Sequence, residues 1–275
     1  PGGEIAPGGA PWYNAAMRRE RKIRLIVVDI DGCITPGESE PADLGALARI
    51  REFNRLAESD PDVPHVTLCT GRQQPYVELM CQLIGAVKPA VFESGSGLYL
   101  PATYEFLPHP SITPERKKLV RKIHDLLHER FEAAGTGKIQ PGKEFSFSVY
   151  PAPGHTVGET GSIARDVRDA NRLDVAVEEG IRCVTIYFSD INKGEGVRFL
   201  ARREGLVLEE IGGVGDAPGD LPYLEIVGFS AAPANAHESV RARASFVSAS
   251  ENGAGTVEII EYCIERNRKT DGRGG

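Results

Sequence analysis

Two aspartates close a run of apolar residues near the start of the chain: Leu25-Ile26-Val27-Val28-Asp29-Ile30-Asp31-Gly32. A short run rich in β-branched residues is the pattern of a buried parallel strand. If the extended geometry persists, residues two apart point to one side, so Asp29 and Asp31 share a face at the strand's end. Two such carboxylates repel by roughly 4 kcal/mol at about 4 Å and an effective dielectric near 20. A hard divalent cation is the usual remedy. The bland alternative, one aspartate capping a turn and the other solvated, is equally compatible with this stretch alone.

Further chemistry-bearing residues recur along the chain. Thr70-Gly71-Arg72 follows a β-rich run over residues 63 to 70, and Asn192-Lys193-Gly194 opens a helical pattern. Gly215-Asp216-Ala217-Pro218-Gly219-Asp220 follows a late glycine-loosened strand. In an open α/β sheet, polar groups at the carboxyl ends of neighbouring strands converge on one crevice. Glycines at 32, 71 and 194 let the backbone approach an anion, and a helix N-terminus there favours negative charge. Four carboxylates, a hydroxyl and a lysine suit a magnesium ion together with a phosphate.

These groups need a scaffold of alternating strands and helices. Amphipathic helices are expected over 41–58, 75–84 and 193–204, a short strand over 90–93, and a turn at Ser94-Gly95-Ser96-Gly97. Late strands are expected over 211–216 and 228–231, with a closing helix over 256–266. That alternation predicts α/β, a doubly wound parallel sheet with right-handed crossovers. Between Leu100 and Phe188 the rhythm changes to helix, strand, helix, strands. Leu119, Val120, Ile123, Leu127 and Phe131 form one stripe after Thr113-Pro114. Residues 145–149 alternate like a half-exposed strand, a second helix covers 161–172, and strands cover 174–178 and 182–188. An inserted α+β unit with an open-faced antiparallel sheet follows. The expected division is a discontinuous core, 21–100 and 189–268, around an insert at 101–188. A flexible arm at 1–20 and a flexible tail at 269–275 flank it; Met17 could be the natural start.

Composition narrows the function. The 275 residues are 41% hydrophobic and 26% charged, ordinary for a globular protein. A net charge of -7 argues against nucleic acid as a general partner. No apolar run is long enough to span a bilayer, so no membrane is expected. Five scattered cysteines without metal spacing suggest reduced thiols and a cytoplasmic setting.

Taken in order, Asp-x-Asp-Gly at 29–32, Thr-Gly-Arg at 70–72, Lys-Gly at 193–194 and Gly-Asp-x-x-x-Asp at 215–220 resemble the motifs of the haloacid dehalogenase superfamily of phosphatases. The likeness covers residues 23 to 265, in the branch whose cap lies between the second and third motifs. Pro233-Ala234-Asn235-Ala236 looks like that branch's tail. The resemblance implies a Rossmann-like core, Mg2+, and a small phosphorylated metabolite as substrate, phosphoglycolate or a sugar phosphate. It implies Asp29 as nucleophile, Asp31 as general acid and base, and Thr70, Gly71 and Arg72 as substrate-binding. Lys193 would neutralise both the nucleophile and the phosphoryl group. The metal set would be Asp29, Asp31 (through its backbone carbonyl), Asp216 and Asp220. Three positions depart from the pattern: Cys33, where Thr or Asn is frequent, and Ser94 and Gly219, each in place of Asn.

Other signals carry less. His124 and His128, four apart, lack a third zinc ligand. Gly212-Gly213-Val214-Gly215 lacks the full dinucleotide fingerprint. Arg165, Arg168 and Arg172 read as a solvated helix face, and Cys69 as a buried strand residue. Two further functional classes remain open: phosphotransfer to a sugar, as in phosphomannomutases, and a phospho-accepting regulatory domain. The oligomeric state, monomer or homodimer, is open too.

Overall fold

The strand at the head of the chain is covered on both faces. In the computed structural model, which describes residues 21–270, β1 (Leu25–Val28) sends Ile26 and Val28 into one apolar cluster and Leu25 and Val27 into another. An apolar residue at every position is thus the signature of a central strand, because each face needs its own cover.

The elements follow in order. α1 (Leu44–Ala57), β2 (His65–Leu68), α2 (Gln74–Ile84) and β3 (Ala90–Phe92) precede a hairpin of β4 (Gly97–Leu100) and β5 (Glu105–Pro108). Then come α3 (Pro114–Leu127), β6 (Gly137–Ile139), β7 (Phe147–Pro151), α4 (Val157–Ala170), β8 (Val175–Glu179) and β9 (Val184–Phe188). The chain closes with α5 (Lys193–Glu204), β10 (Ile211–Val214), α6 (Leu221–Leu224), β11 (Phe229–Ala232), α7 (Glu238–Arg241), β12 (Phe246–Val247) and α8 (Asn252–Thr270).

The main sheet is parallel, in the order β12-β11-β10-β1-β2. A Cys69–Val91 bridge brings β3 alongside β2. Ile50 and Phe53 of α1, Val77 and Ile84 of α2, and Ile259 and Ile260 of α8 cover one face; Val197 and Leu200 of α5 and Tyr223 of α6 cover the other. Gly212 and Gly213 lie inside β10, opposite Ile26 and Val27, and so form strand rather than a dinucleotide loop.

The inserted unit has a four-stranded antiparallel sheet, β6-β7-β9-β8. Alternation gives it two unlike faces. Phe147, Val149, Val184, Ile186 and Phe188 are buried beside Ile123, Leu127, Ala164 and Val167 of the two helices. Ser148, Thr185 and Tyr187 come from the intervening positions and face a cavity.

Local chemistry sets the boundaries. The Asp43 carboxylate accepts from the Gly45 and Ala46 amides, so α1 starts at Leu44 and not at Pro41. A Thr156–Glu159 capping box starts α4 before the expected Gly161. Arg172, expected within that helix, lies beyond its end with a φ of 50°. The β4–β5 hairpin was not anticipated; β5 falls in the stretch expected to be insert, yet pairs with β4. α8 runs to Thr270, past the point where the tail was expected to begin. The expected arm at 1–20 and the last residues, 271–275, lie outside the described residues. Among those described, no helix is long and apolar enough to cross a membrane.

Candidate active site

The carboxyl ends of β1 and β10 are neighbours in register, Val28 opposite Val214. The residues just beyond them, Asp29 and Asp216, therefore meet. Asp29, Asp216 and Asp220 each offer an oxygen, all within 4.8 Å of one another. Among the described residues this is the group of acidic side chains placed to hold a metal ion. A Cβ on Gly32 would fall on the Asp216 carboxylate, and its φ is 79°. Glycine there is thus required twice, by conformation and by space.

Lys193 reaches into the cluster from the first residue of α5. Its Nζ lies 2.8 Å from Asp29 Oδ2 and 2.5 Å from Asp220 Oδ1. Asn192 caps that helix through the Glu195 amide, which fixes where the lysine leaves the backbone. Asp220 is fully buried; its second oxygen accepts from the Asp216 and Ala217 amides at 2.9 and 3.0 Å. It therefore acts as a strut, joining the lysine to the turn that carries Asp216.

Burial raises Asp29 to about 6, against the pull of Lys193, and raises Asp216 to about 8 with help from Asp220 and Asp29. Burial alone would favour the neutral amine of Lys193, but the Asp220 and Asp29 carboxylates hold it well above the ordinary lysine value. Three crowded carboxylates with one internal cation form a site that a divalent ion would relieve. Oxygen donors in this number suit magnesium, so the residues fit the expected ion.

Asp31 departs from the expected picture. It lines the same cavity as Asp29, but its carboxylate accepts two hydrogen bonds from Arg72, both at 2.6 Å. The repulsion expected between the two aspartates is offset by a separate cation on each, Lys193 on Asp29 and Arg72 on Asp31. The Asp31 side chain is accordingly not part of the acidic cluster. Arg72 also lies over the Tyr76 ring, 4.9 Å from its centroid. Thr70 is buried, its hydroxyl accepting from the Arg72 amide at 3.3 Å; Gly71 lines the cavity beside it.

The cavity, about 370 Å³, lies between these strand ends and the polar face of the inserted sheet. Glu38, Gln140, Lys143, Ser148, Glu178, Thr185 and Tyr187 line it as well. Sequence reasoning missed all of them, since none belongs to a motif. The signal that existed was the alternation of residues 145–149. Glu93 was missed too: it is buried, and accepts from the Glu144, Phe145 and Ser146 amides and the Ser146 hydroxyl.

Two of the three departures, Cys33 and Gly219, have local explanations, and Ser94 sits at a φ of 55°. Cys33 is buried, with its sulfur 3.7 Å from Asp216 Oδ1, and its carbonyl takes the Thr256 hydroxyl at 2.6 Å. Beside Gly219, the Glu178 carboxylate stands where a larger side chain would start, 2.5 Å from a built Cβ. Asn235, in the expected tail motif, ties the Gly32 carbonyl to the Asn252 amide. The remaining signals are structural. His128 bonds Glu132 while stacking on His124, Arg165 pairs with Glu179, Arg168 with Asp169, and Cys69 is buried. All five cysteines are unpaired.

Comparison with known proteins agrees with this fold. Residues 156–260 match the model of a haloacid dehalogenase-like hydrolase family. A phosphoglycolate phosphatase of Methanothrix thermoacetophila is 43% identical over 242 residues, covering 87% of this chain and 96% of that protein. One from Methanosarcina acetivorans is 30% identical over 252 residues, covering 90% and 98%. Among solved structures, a Thermoplasma acidophilum protein aligns with a TM-score of 0.68 at 19% identity, covering 88% of this chain and 99% of that one. The sucrose-phosphatase of Synechocystis, solved with sucrose and phosphate, aligns with a TM-score of 0.64 at 17% identity, covering 88% and 98%.

Proposed function

Because this chain belongs to the haloacid dehalogenase-like hydrolase family and is a phosphatase, we propose that it hydrolyses a small phosphorylated metabolite, with 2-phosphoglycolate as the leading candidate, through an aspartyl-phosphate on Asp29. The observation that carries this reading is the convergence of Asp29, Asp216 and Asp220 on one point, with Lys193 bonded to the first and last. Such a constellation supplies what phosphoryl transfer needs, positioning and charge neutralisation.

Asp29 attacks phosphorus, and the bond to the leaving oxygen breaks. Asp31 gives that oxygen its proton, then takes one from the water that hydrolyses the aspartyl-phosphate. Before substrate arrives Asp31 is held by Arg72. Its part in proton transfer begins when phosphoryl oxygens take over the guanidinium and the freed carboxylate takes up a proton from solvent, the one it then gives to the leaving oxygen. Lys193 screens the approach of carboxylate to phosphate, and Thr70 and Gly71 hold the transferring group. Asp29, Asp216 and the Asp31 carbonyl would hold Mg2+, with Asp220 in support. The ion would supply positive charge against both the nucleophile and the phosphoryl oxygens. The inserted unit serves as the cap: it roofs the cavity, limits its volume and keeps large substrates and bulk water out.

The test is phosphate release from a panel of phosphomonoesters, with Mg2+ and after chelation. Hydrolysis of 2-phosphoglycolate that stops with EDTA and returns with added Mg2+ is expected. A protein that consumes a sugar phosphate without releasing phosphate is a phosphotransferase instead, and one that stays phosphorylated without turnover is a regulator.

A further inference from the structure

Lys143 stands out on the roof of the cavity. It lies in the loop between β6 and β7, is only partly exposed, and lines the cavity opposite the strand ends. An ammonium has three donors. One goes to the Ser148 hydroxyl at 2.6 Å, and among the described residues no carboxylate lies within 4 Å of the other two. The nearby acids are engaged elsewhere: Glu38 accepts from the Tyr150 hydroxyl at 2.5 Å, and Glu93 is filled by three amides and a hydroxyl. A cation is thus held against a polar cavity with a neutral partner, an arrangement that burial penalises. Burial indeed pulls Lys143 below the ordinary lysine value, with Glu93 opposing.

Its mounting is rigid. The amides of the next three residues, Glu144, Phe145 and Ser146, bond Glu93 at 2.8 to 2.9 Å. Glu93 directly follows β3, so a core carboxylate sets the position of the loop that carries Lys143. A charge placed this firmly can read a ligand's geometry.

We propose that Lys143 is the cap's specificity determinant: its ammonium binds a carboxylate that the substrate carries at the end away from its phosphoryl group. This rests on the phosphatase reading, and adds that the preferred esters are short and doubly anionic. The cavity is small, and the cations at the strand ends are already paired, Lys193 with Asp29 and Asp220, Arg72 with Asp31. Of these three cations, Lys143 is the one that no carboxylate within 4 Å neutralises among the described residues. A compact point charge accepts a carboxylate without demanding the planar fork that arginine provides.

The experiment compares kcat/KM for 2-phosphoglycolate with that for ethyl phosphate, which has the same skeleton and a methyl in place of the carboxylate. Wild-type protein with Mg2+ should favour the carboxylated ester. In Lys143→Gln that ratio should fall roughly 10- to 100-fold, through KM on the carboxylated ester, because a charged hydrogen bond is lost from one substrate and not the other. Lys143→Arg, which keeps the charge, should retain most of the preference. A ratio unmoved by Lys143→Gln overturns the proposal, as does a collapse in Lys143→Arg to the glutamine value. A wild type that hydrolyses both esters equally also overturns it, while leaving the phosphatase reading intact. Hydrolysis of neither ester, with other phosphomonoesters still cleaved, overturns the inference alone; no phosphate release from any ester of the panel removes the phosphatase reading with it.

Discussion

At the scale of single residues, charge on the site is managed by pairing, and the pairs say which substitutions are tolerated. Asp29 is buried against Asp216 and Asp220 with Lys193 as its counter-ion. Removing one of three crowded carboxylates relieves repulsion while weakening one ion pair, so the two effects largely cancel. Asp29→Asn should therefore stay within about 1 kcal/mol of wild type in urea unfolding. It should still lose on the order of 10³-fold or more in kcat, since the amide cannot attack phosphorus. Retained turnover in a folded variant would move the nucleophile elsewhere. The motif residues were legible because their types and order are dictated by the chemistry. What spacing could not give was the direction of the Asp31 carboxylate, which depends on where Arg72 lands after a separate strand. Glu93 and Lys143 were illegible for the same reason: each matters through a partner some fifty residues away, or through a cavity wall, and neither has a local pattern.

At the scale of elements, side-chain amides act as fastenings between helices and strands. Asn54, buried on α1, donates to the Val66 and Ile84 carbonyls and accepts from the Val66 amide. Asn267, buried on α8, accepts from the Ile23 amide and donates to the Ile23 and Asp62 carbonyls. Each satisfies backbone groups just where a strand begins or a helix ends. Asn54→Ala would leave those groups buried and unbonded, a cost of about 2–4 kcal/mol from the desolvation involved. The midpoint of chemical denaturation measures it, and a change below about 0.5 kcal/mol would mean that water replaces the amide. The same elements show how far sequence patterns reach. Lys193–Glu204 was placed at both ends because Asn192 caps it and Gly205 ends it with a φ of 66°. The β4–β5 hairpin escaped because Tyr104, the residue that turns it, takes a φ of 57° without being glycine.

At the scale of the whole molecule, the cap is seated on the core by a few specific contacts. Glu93 is chief among them, with both oxygens occupied by N–H and O–H donors. Glu93→Gln would set an amide NH2 against one of those donors. We expect a loss of about 1–3 kcal/mol, concentrated in the seat of the cap. Hydrogen exchange should report it as faster exchange at the amides of 144–146, with the main-sheet amides of β1 and β10 still protected. Uniform acceleration across both regions would show that Glu93 supports global folding and not the seat alone.

The meeting of Glu178 with Gly219 has a wider consequence. A carboxylate from the inserted sheet stands where a side chain at 219 on the core would begin. Exchange of caps between relatives would then not be a simple graft. A cap without this glutamate would leave room above Gly219, and this cap set over a larger residue at 219 would have to turn Glu178 aside and give up its bond from the Tyr187 hydroxyl. Each half of the enzyme thus constrains a side chain of the other, and a graft would have to exchange positions 178 and 219 together.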